Sequence, residues 1–496
     1  MDCLFTYFTY IHRKENIMLT IHLSAQSDAP MYEQIYRHIR NEIRNGSLTC
    51  SEKLPSTRKL ASHLQVSRNT VDMAYSQLLS EGYIESHPKC GFFVCKITEL
   101  SHLSDTTEPI VPNKQSDTMQ YRFDFSPFAI DINHFPFATW RKLSRECTTF
   151  DNNELFLLGE KQGDLSFRQA IKKYLHDSRG VNCEENQILI GAGADYLLHF
   201  LCLLLPNNCK IAMENPTYRQ AYKIFRGLDL KTIPISLTPT GIDLDALSLS
   251  DADICYVTPS HQYPVGTVMP YTKRLQLLKW ANEKEHRYII EDDHDSEFRY
   301  RGKPIPALSG MDTNQKVIYL GTFSRALAPA IRIGYIVLPK PLLLKYQQSY
   351  SYYSSTVSRV DQAILTSFIQ GGYFERHLNR MRKIYKSKHD TLLAAFKVFR
   401  NKIRVHTENA GLHVLVLFLF PLSCDEILKI AAENQIHLYP LRDHFIAPTG
   451  QTNENYFLFG FGNLTEEEIK EGIQCLNQAL LSASSATASA NSNGSA

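Results

Sequence analysis

No apolar run in this 496-residue chain approaches the roughly 20 residues that span a bilayer, so a membrane-spanning helix is not expected. The first residues, 1–16, carry Phe5, Tyr7, Phe8 and Tyr10 but lack the basic start and small-residue cleavage site of a secretory signal. The eleven cysteines show no CxxC spacing and no clustering with histidines, which argues against a disulfide framework or a zinc site and for reduced thiols in a cytoplasm. A net charge of +2 names no partner. The last stretch, 482–496, is almost wholly Ser, Ala, Asn, Thr and Gly, lacks apolar periodicity, and is expected to stay disordered.

What is present divides the chain. With 43% hydrophobic residues, 496 residues can form two to four domains at roughly 100 to 200 residues each. A segment rich in Ser, Thr, Pro and Asn, residues 97–120, reads as a linker between regions of different pattern. In the first region Tyr32, Ile35, Tyr36, Ile39 and Ile43 follow helical spacing and Asn45-Gly46 ends the helix. Ser56 caps a short second helix, and Gln65-Val66-Ser67 turns into a third that begins at Arg68. A hairpin over 83–95, with Pro88-Lys89-Cys90-Gly91 at its tip, completes a winged helix-turn-helix.

Such a fold presents the start of its third helix to the DNA major groove. Ser67, Arg68 and Thr70 stand there, while Ser56, Arg58 and Lys89 are placed for phosphate contacts that orient without reading sequence. Residues 30–96 hold nine Lys or Arg against six acids, a weak positive balance that suits a dimeric reader of two half-sites. The alternative is a helix-turn-helix used only for protein contacts.

The second region, 121–481, alternates helical patterns with short apolar runs near 187–190, 209–213, 254–257, 288–290 and 317–320. That order predicts a mostly parallel α/β sheet covered by helices on both faces, with ligands beyond the carboxyl ends of the strands. The notable residues follow those runs. Gly191-Ala-Gly-Ala-Asp195 is a helix-opening turn able to cradle an anion, and Tyr218 could stack on a flat ring. Further on come His261-Gln262, the run Glu291-Asp-Asp-His-Asp295, and Thr322-Phe-Ser-Arg325 with Arg332. The acids and histidine of 291–295 invite a metal, but neighbours on a strand end diverge, so no metal site is assigned.

The stretch Lys53-Leu-Pro-Ser-Thr-Arg-Lys-Leu-Ala, with Val66-Ser-Arg-Asn-Thr-Val71 and Leu78-Leu-Ser-Glu-Gly-Tyr-Ile84, closely resembles the winged helix of GntR-family regulators. The segments of the second region, in order and spacing, resemble the fold-type I aminotransferase-like domain of MocR-type regulators, with a smaller C-terminal α+β part. The resemblance runs from Met18 to Leu481, so residues 1–17 read as an upstream extension. It implies a site for pyridoxal phosphate (PLP): Asp292 against the pyridine nitrogen, Tyr218 stacking, His261 and Gln262 beside the ring oxygen, and Ser324 and Arg332 on the phosphate. Gly193, Ala194, Asp195 and Thr322 belong to the same site, and a head-to-tail homodimer is implied.

Two departures fall at its chemical centre. Arg325 occupies the position of the Schiff-base lysine, and His294 stands where a tyrosine is usual. Ala194 and Asp195 also replace the hydroxyl and amide of the phosphate turn. A guanidinium stays charged and cannot attack an aldehyde, so any PLP is expected to bind noncovalently at most, and no residue is assigned as catalytic. Arg325 is expected either to contact such a ligand or to pair with Asp292 or Asp195 in an emptied site. The expected function is a DNA-binding regulator whose second domain senses a small molecule. The alternatives are a working aminotransferase fused to a DNA-binding module and a regulator with an empty structural domain.

Overall fold

The computed structural model describes residues 19–24, 29–96, 121–300, 305–406, 410–448 and 454–493, and its chain divides into two compact units, 1–118 and 119–496. The extension 1–17 and the linker 97–120 lie outside the described residues. No described helix is long and apolar enough to cross a membrane.

In the first unit the helix Met31–Arg44 buries Ile35, Tyr36, Ile39 and Ile43 of the stripe read from sequence, while Tyr32 is half-buried. Helices Thr57–Leu64 and Arg68–Ser80 follow, and the strands Ile84–His87 and Gly91–Val94 pair as the antiparallel wing. Both later helices start on serine caps: Ser56 accepts from the Lys59 amide and Ser67 from the Thr70 amide, each satisfying a donor the helix leaves open. Gln65 takes a left-handed φ of 54° and turns the chain between them. Tyr75 closes the core with a hydroxyl donated to the Pro55 carbonyl, 2.9 Å.

The second unit is built on an eight-stranded sheet. From one edge its order is Ile188–Gly191, Gly334–Val337, Val317–Thr322, Tyr288–Asp292, Ile254–Val257, Lys210–Asn215, Lys231–Thr238 and Gly241–Ile242. The five strands from Val317–Thr322 to Lys231–Thr238 run parallel, whereas Gly334–Val337 is antiparallel to both its neighbours. That strand follows only a single short 3-10 turn, Pro329–Ile331, and the Arg332 turn, with no α-helix to carry the chain over the sheet, so it doubles back.

A smaller antiparallel sheet orders Ile403–His406, His413–Phe418, Tyr456–Gly460 and Tyr439–Pro440. Helices Cys424–Glu433 and Glu466–Asn493 pack with it. The last helix departs from the expected disordered tail, since it continues past Leu481 to Asn493. Ile469, Ile473, Leu476 and Leu480 dock fully buried, and the Ala- and Ser-containing sequence beyond extends the turns already nucleated.

Candidate functional site

The sequence-selected residues of the second unit do meet at the carboxyl ends of the parallel strands. The strand Ile188–Gly191 leads through Gly193, at φ +90°, into the helix Ala194–Leu204. A Cβ on Gly193 would lie 3.0 Å from the Arg332 guanidinium, so glycine is what lets that arginine close over the turn. Arg332 Nη2 donates to Asp195 Oδ2 at 3.1 Å across a largely exposed pair. The acid in the turn is therefore matched by Arg332.

Asp292, at the end of its strand, accepts the Tyr256 hydroxyl at 2.5 Å, and burial raises its pKa to about 6, which still leaves it mostly ionised at neutral pH. Tyr218 precedes the helix Arg219–Gly227 and sets its ring edge-on to Tyr263, 5.9 Å between centroids. Gln262 is spent on structure, with its amide nitrogen donating to Glu214, the Pro216 carbonyl and the Tyr263 carbonyl. Thr322 accepts from the Ser324 amide and donates to the Ile333 carbonyl. The Ser324 hydroxyl is buried without a partner.

Arg325 corrects one expectation. It pairs neither with Asp292 nor with Asp195 but with Asp295, Nε to Oδ1 at 2.8 Å and Nη2 to Oδ2 at 3.0 Å. Burial works against both charges. The guanidinium nevertheless holds the Asp295 carboxyl far below the usual carboxylate range, and the carboxylate in turn keeps Arg325 above its ordinary pKa. Asp295 sits at φ +54°, a region costly for a residue with a Cβ. The two arginine bonds and a third from the Leu412 amide, 3.1 Å, hold it there.

Around this pair stand three imidazoles, His261, His294 and His413, which burial drives down to pKa values of about 4, 4 and 3 and so keeps neutral. Sequence reading weighed Asp295 only as a metal ligand that it did not assign, and gave no role to His413, Tyr256, Tyr263 or Arg179. Arg179 clamps Asp293 through Nε and Nη2 at 2.9 and 2.7 Å, which removes that acid from the pocket. Only the chain's return from 411–413 could have exposed His413, and no local motif marks that contact. Although no metal site was assigned, ligand atoms of His261, Asp295 and His413 lie within 4.8 Å of one another.

The residues fit a flat ring bearing a pyridinium and a phosphate only in part. Asp292 suits the ring nitrogen, and the unpartnered Ser324 hydroxyl and the Gly193 turn suit an anion. Arg325 does not fit covalent attachment.

Residues 31–94 match the family model for bacterial regulatory proteins of the gntR family, and residues 128–474 the model for aminotransferases of class I and II. The domains are thus those of a regulator with an aminotransferase-like domain. Bacillus subtilis YhdI, an HTH-type transcriptional regulator, is 38% identical, with 93% of this chain and 98% of that one covered. The probable rhizopine catabolism regulatory protein MocR of Rhizobium meliloti is 32% identical over 94% and 97%. The second unit's fold also matches a multiple substrate aminotransferase from Thermococcus profundus, TM-score 0.66 at 24% identity, covering 74% of this chain and 92% of that one. The chain belongs to the MocR-type branch of the GntR family, the DNA-binding transcriptional regulators. In this family the aminotransferase fold implies a PLP site.

Proposed function

We propose that the second domain of this regulator holds a small ligand, PLP-related or amino-acid-like, without a covalent bond and without transamination, and biases the DNA heads of a homodimer between two arrangements. The single observation that carries the reading is the buried Arg325–Asp295 pair at the cofactor-lysine position. Where a lysine is present, the bound group supplies an electron sink for carbanion chemistry. Here Arg325 can donate hydrogen bonds but cannot accept a proton, so it offers neither the covalent anchor nor the base. A ligand would act by binding the two arrangements unequally. Asp292 would orient a ring nitrogen, Tyr218 would pack a ring, and Ser324 with the Gly193 turn would hold an anionic group.

In the DNA-binding unit, exposed Arg68 at the start of its helix would read a base, supported by Thr70. Exposed Arg58 and Lys89 would hold phosphates. Ser56 and Ser67 would act there mainly by capping. Homodimer formation is supported by apolar side chains left open on the second unit: Phe137, Phe150, Phe156, Leu157 and Leu158, the last 95% exposed. The protein would work in the cytoplasm.

The test is an absorbance spectrum of the full chain with added PLP, before and after borohydride, alongside equilibrium dialysis. Saturable binding with no reducible adduct supports the reading, and an adduct mapped to a lysine of this pocket overturns it. A second reading, an empty structural domain, draws support from the ion pairs Arg332–Asp195 and Arg325–Asp295, which satisfy charges a ligand would otherwise meet. Absence of saturable binding would favour it.

A further inference from the structure

Four side chains with metal-ligand chemistry converge beside Arg325 from three separate segments. His261 follows the strand Ile254–Val257, His294 and Asp295 follow Tyr288–Asp292, and His413 opens a strand of the smaller sheet. One atom each of His261, Asp295 and His413 lies within 4.8 Å of the other two, and all three residues are at most 2% exposed. His294 Nε2 is 3.5 Å from Asp295 Oδ2, and its ring lies nearly parallel to that of His261.

What makes the cluster informative is its unspent nitrogens. His261 Nδ1, His294 Nε2 and His413 Nδ1 are all buried and without a hydrogen-bond partner. Leaving such an atom unsatisfied is costly, and native proteins leave few, each of which calls for an explanation such as an ion or a water. His413 shows which form it takes. Its Nε2 is 2.9 Å from the Pro264 carbonyl, which can only accept, so Nε2 carries the proton and Nδ1 presents a lone pair. A ring whose second nitrogen donates to a backbone carbonyl is the arrangement that orients metal-bound histidines.

The scaffold is also fixed from behind. The Gly411 amide donates to the Phe298 carbonyl and the Tyr300 hydroxyl to the Gly411 carbonyl, tying the His413 segment to the stretch after Asp295. A Cβ on Gly411 would lie 2.1 Å from His261 Cε1, so this close approach demands glycine.

We propose that His261, His413 and Asp295, with His294 as a fourth ligand, form a site for one divalent transition ion of the zinc, cobalt or nickel class. Imidazole with one carboxylate suits those ions and not calcium or magnesium. Tetrahedral ligands at about 2.0–2.1 Å stand roughly 3.3 Å apart, so the side chains would close in from their present spacing. Arg325 is the feature that opposes a cation here. Its bonds to Asp295 use Nε and Nη2, and Oδ1 accepts only one of them, which leaves an oxygen lone pair for the ion and makes Arg325 an outer hydrogen-bond partner of the ligand. The cluster shares His261 and His294 with the pocket proposed for the small ligand, and a metal titration without that ligand tests the ion alone.

The full-length protein, stripped with chelator and titrated with cobalt(II) chloride, should take up one equivalent with visible bands of a four-coordinate nitrogen- and oxygen-bound ion, bleached by zinc(II) chloride. His261→Ala and His413→Ala should each lose those bands. His413→Gln places an amide nitrogen where Nε2 stands and can still donate to the Pro264 carbonyl, but it lacks the Nδ1 lone pair, and circular dichroism on it separates loss of a ligand from loss of the fold. Absence of saturable cobalt uptake by the folded wild type, or bands that persist in the folded histidine variants, overturns the proposal.

Discussion

Arg325 and Asp295 are separated by 30 residues of chain yet share two hydrogen bonds in a buried setting, so each is the other's only nearby counter-charge among the described contacts. Removing one partner of such a pair strands a charge away from water, at a cost of about 3–5 kcal/mol. Asp295→Ala should therefore lower the unfolding free energy by that order in a denaturant titration, and a change below about 1 kcal/mol would show that the pair is not buried as described. Arg325→Lys is milder, because an ammonium can still pair with Asp295. If the remaining pocket suits PLP, that variant should gain a borohydride-fixed adduct that the wild type lacks, read by mass spectrometry. A folded Arg325→Lys that binds no PLP would assign the loss to His294 or the Ala194–Asp195 turn.

Residue identity carried much of this. A lysine position filled by arginine is visible in one letter, and the roles expected of Asp292 and Ser324 come from the family resemblance. The partner of Arg325 is not visible in that way. Three aspartates of one short run stand near it, and Asp292 goes to Tyr256, Asp293 to Arg179 and Asp295 to Arg325. The choice depends on which way each side chain leaves a strand end that bends through a left-handed residue, and periodicity contains no record of that bend.

At the scale of elements, the helices of the DNA-binding unit were legible because their signals are local: a serine cap, an apolar stripe, an Asn-Gly stop. The antiparallel strand Gly334–Val337 was not, since four apolar residues look alike in either direction and only its neighbours decide. The third helix yields a paired prediction. Ser67→Ala removes a cap and should cost about 1 kcal/mol of stability while leaving the fold intact in thermal melts. Arg68→Ala should leave stability near wild type, because its contact with Asp72 is a 3.4 Å exposed ion pair worth little. It should instead weaken operator binding by about 1–3 kcal/mol in a gel shift at fixed salt. Unchanged binding would refute base reading by Arg68.

For the whole molecule, the composition of the tail offers no apolar pattern for a core of its own, yet a helix needs no such core once an earlier turn is docked. Among the described side chains of the terminal helix, Leu480 is the last that is fully buried. A chain ending at residue 481 should thus keep its chemical stability within about 0.5 kcal/mol, as expected for changes away from buried features. A loss of more than about 2 kcal/mol would mean that the turns beyond Leu481 pack on something.

Assembly is the larger question at this scale. Phe150 and Leu158, 89% and 95% exposed, stand in one stretch with Phe156 and Leu157, and a monomer gains nothing from presenting them to water. Each buried in a partner would contribute roughly 1.5–3 kcal/mol. The double variant Phe150→Asp/Leu158→Asp would place two charges in that contact and should convert a dimer into monomers by light scattering at micromolar concentration. Its DNA-binding unit is untouched, so each head should still bind one half-site. The affinity gained by engaging two half-sites at once should disappear, because that gain comes from effective concentration within a dimer and not from any contact at the DNA. If the double variant stays dimeric and binds a two-half-site element as tightly as wild type, the apolar stretch serves something other than self-association.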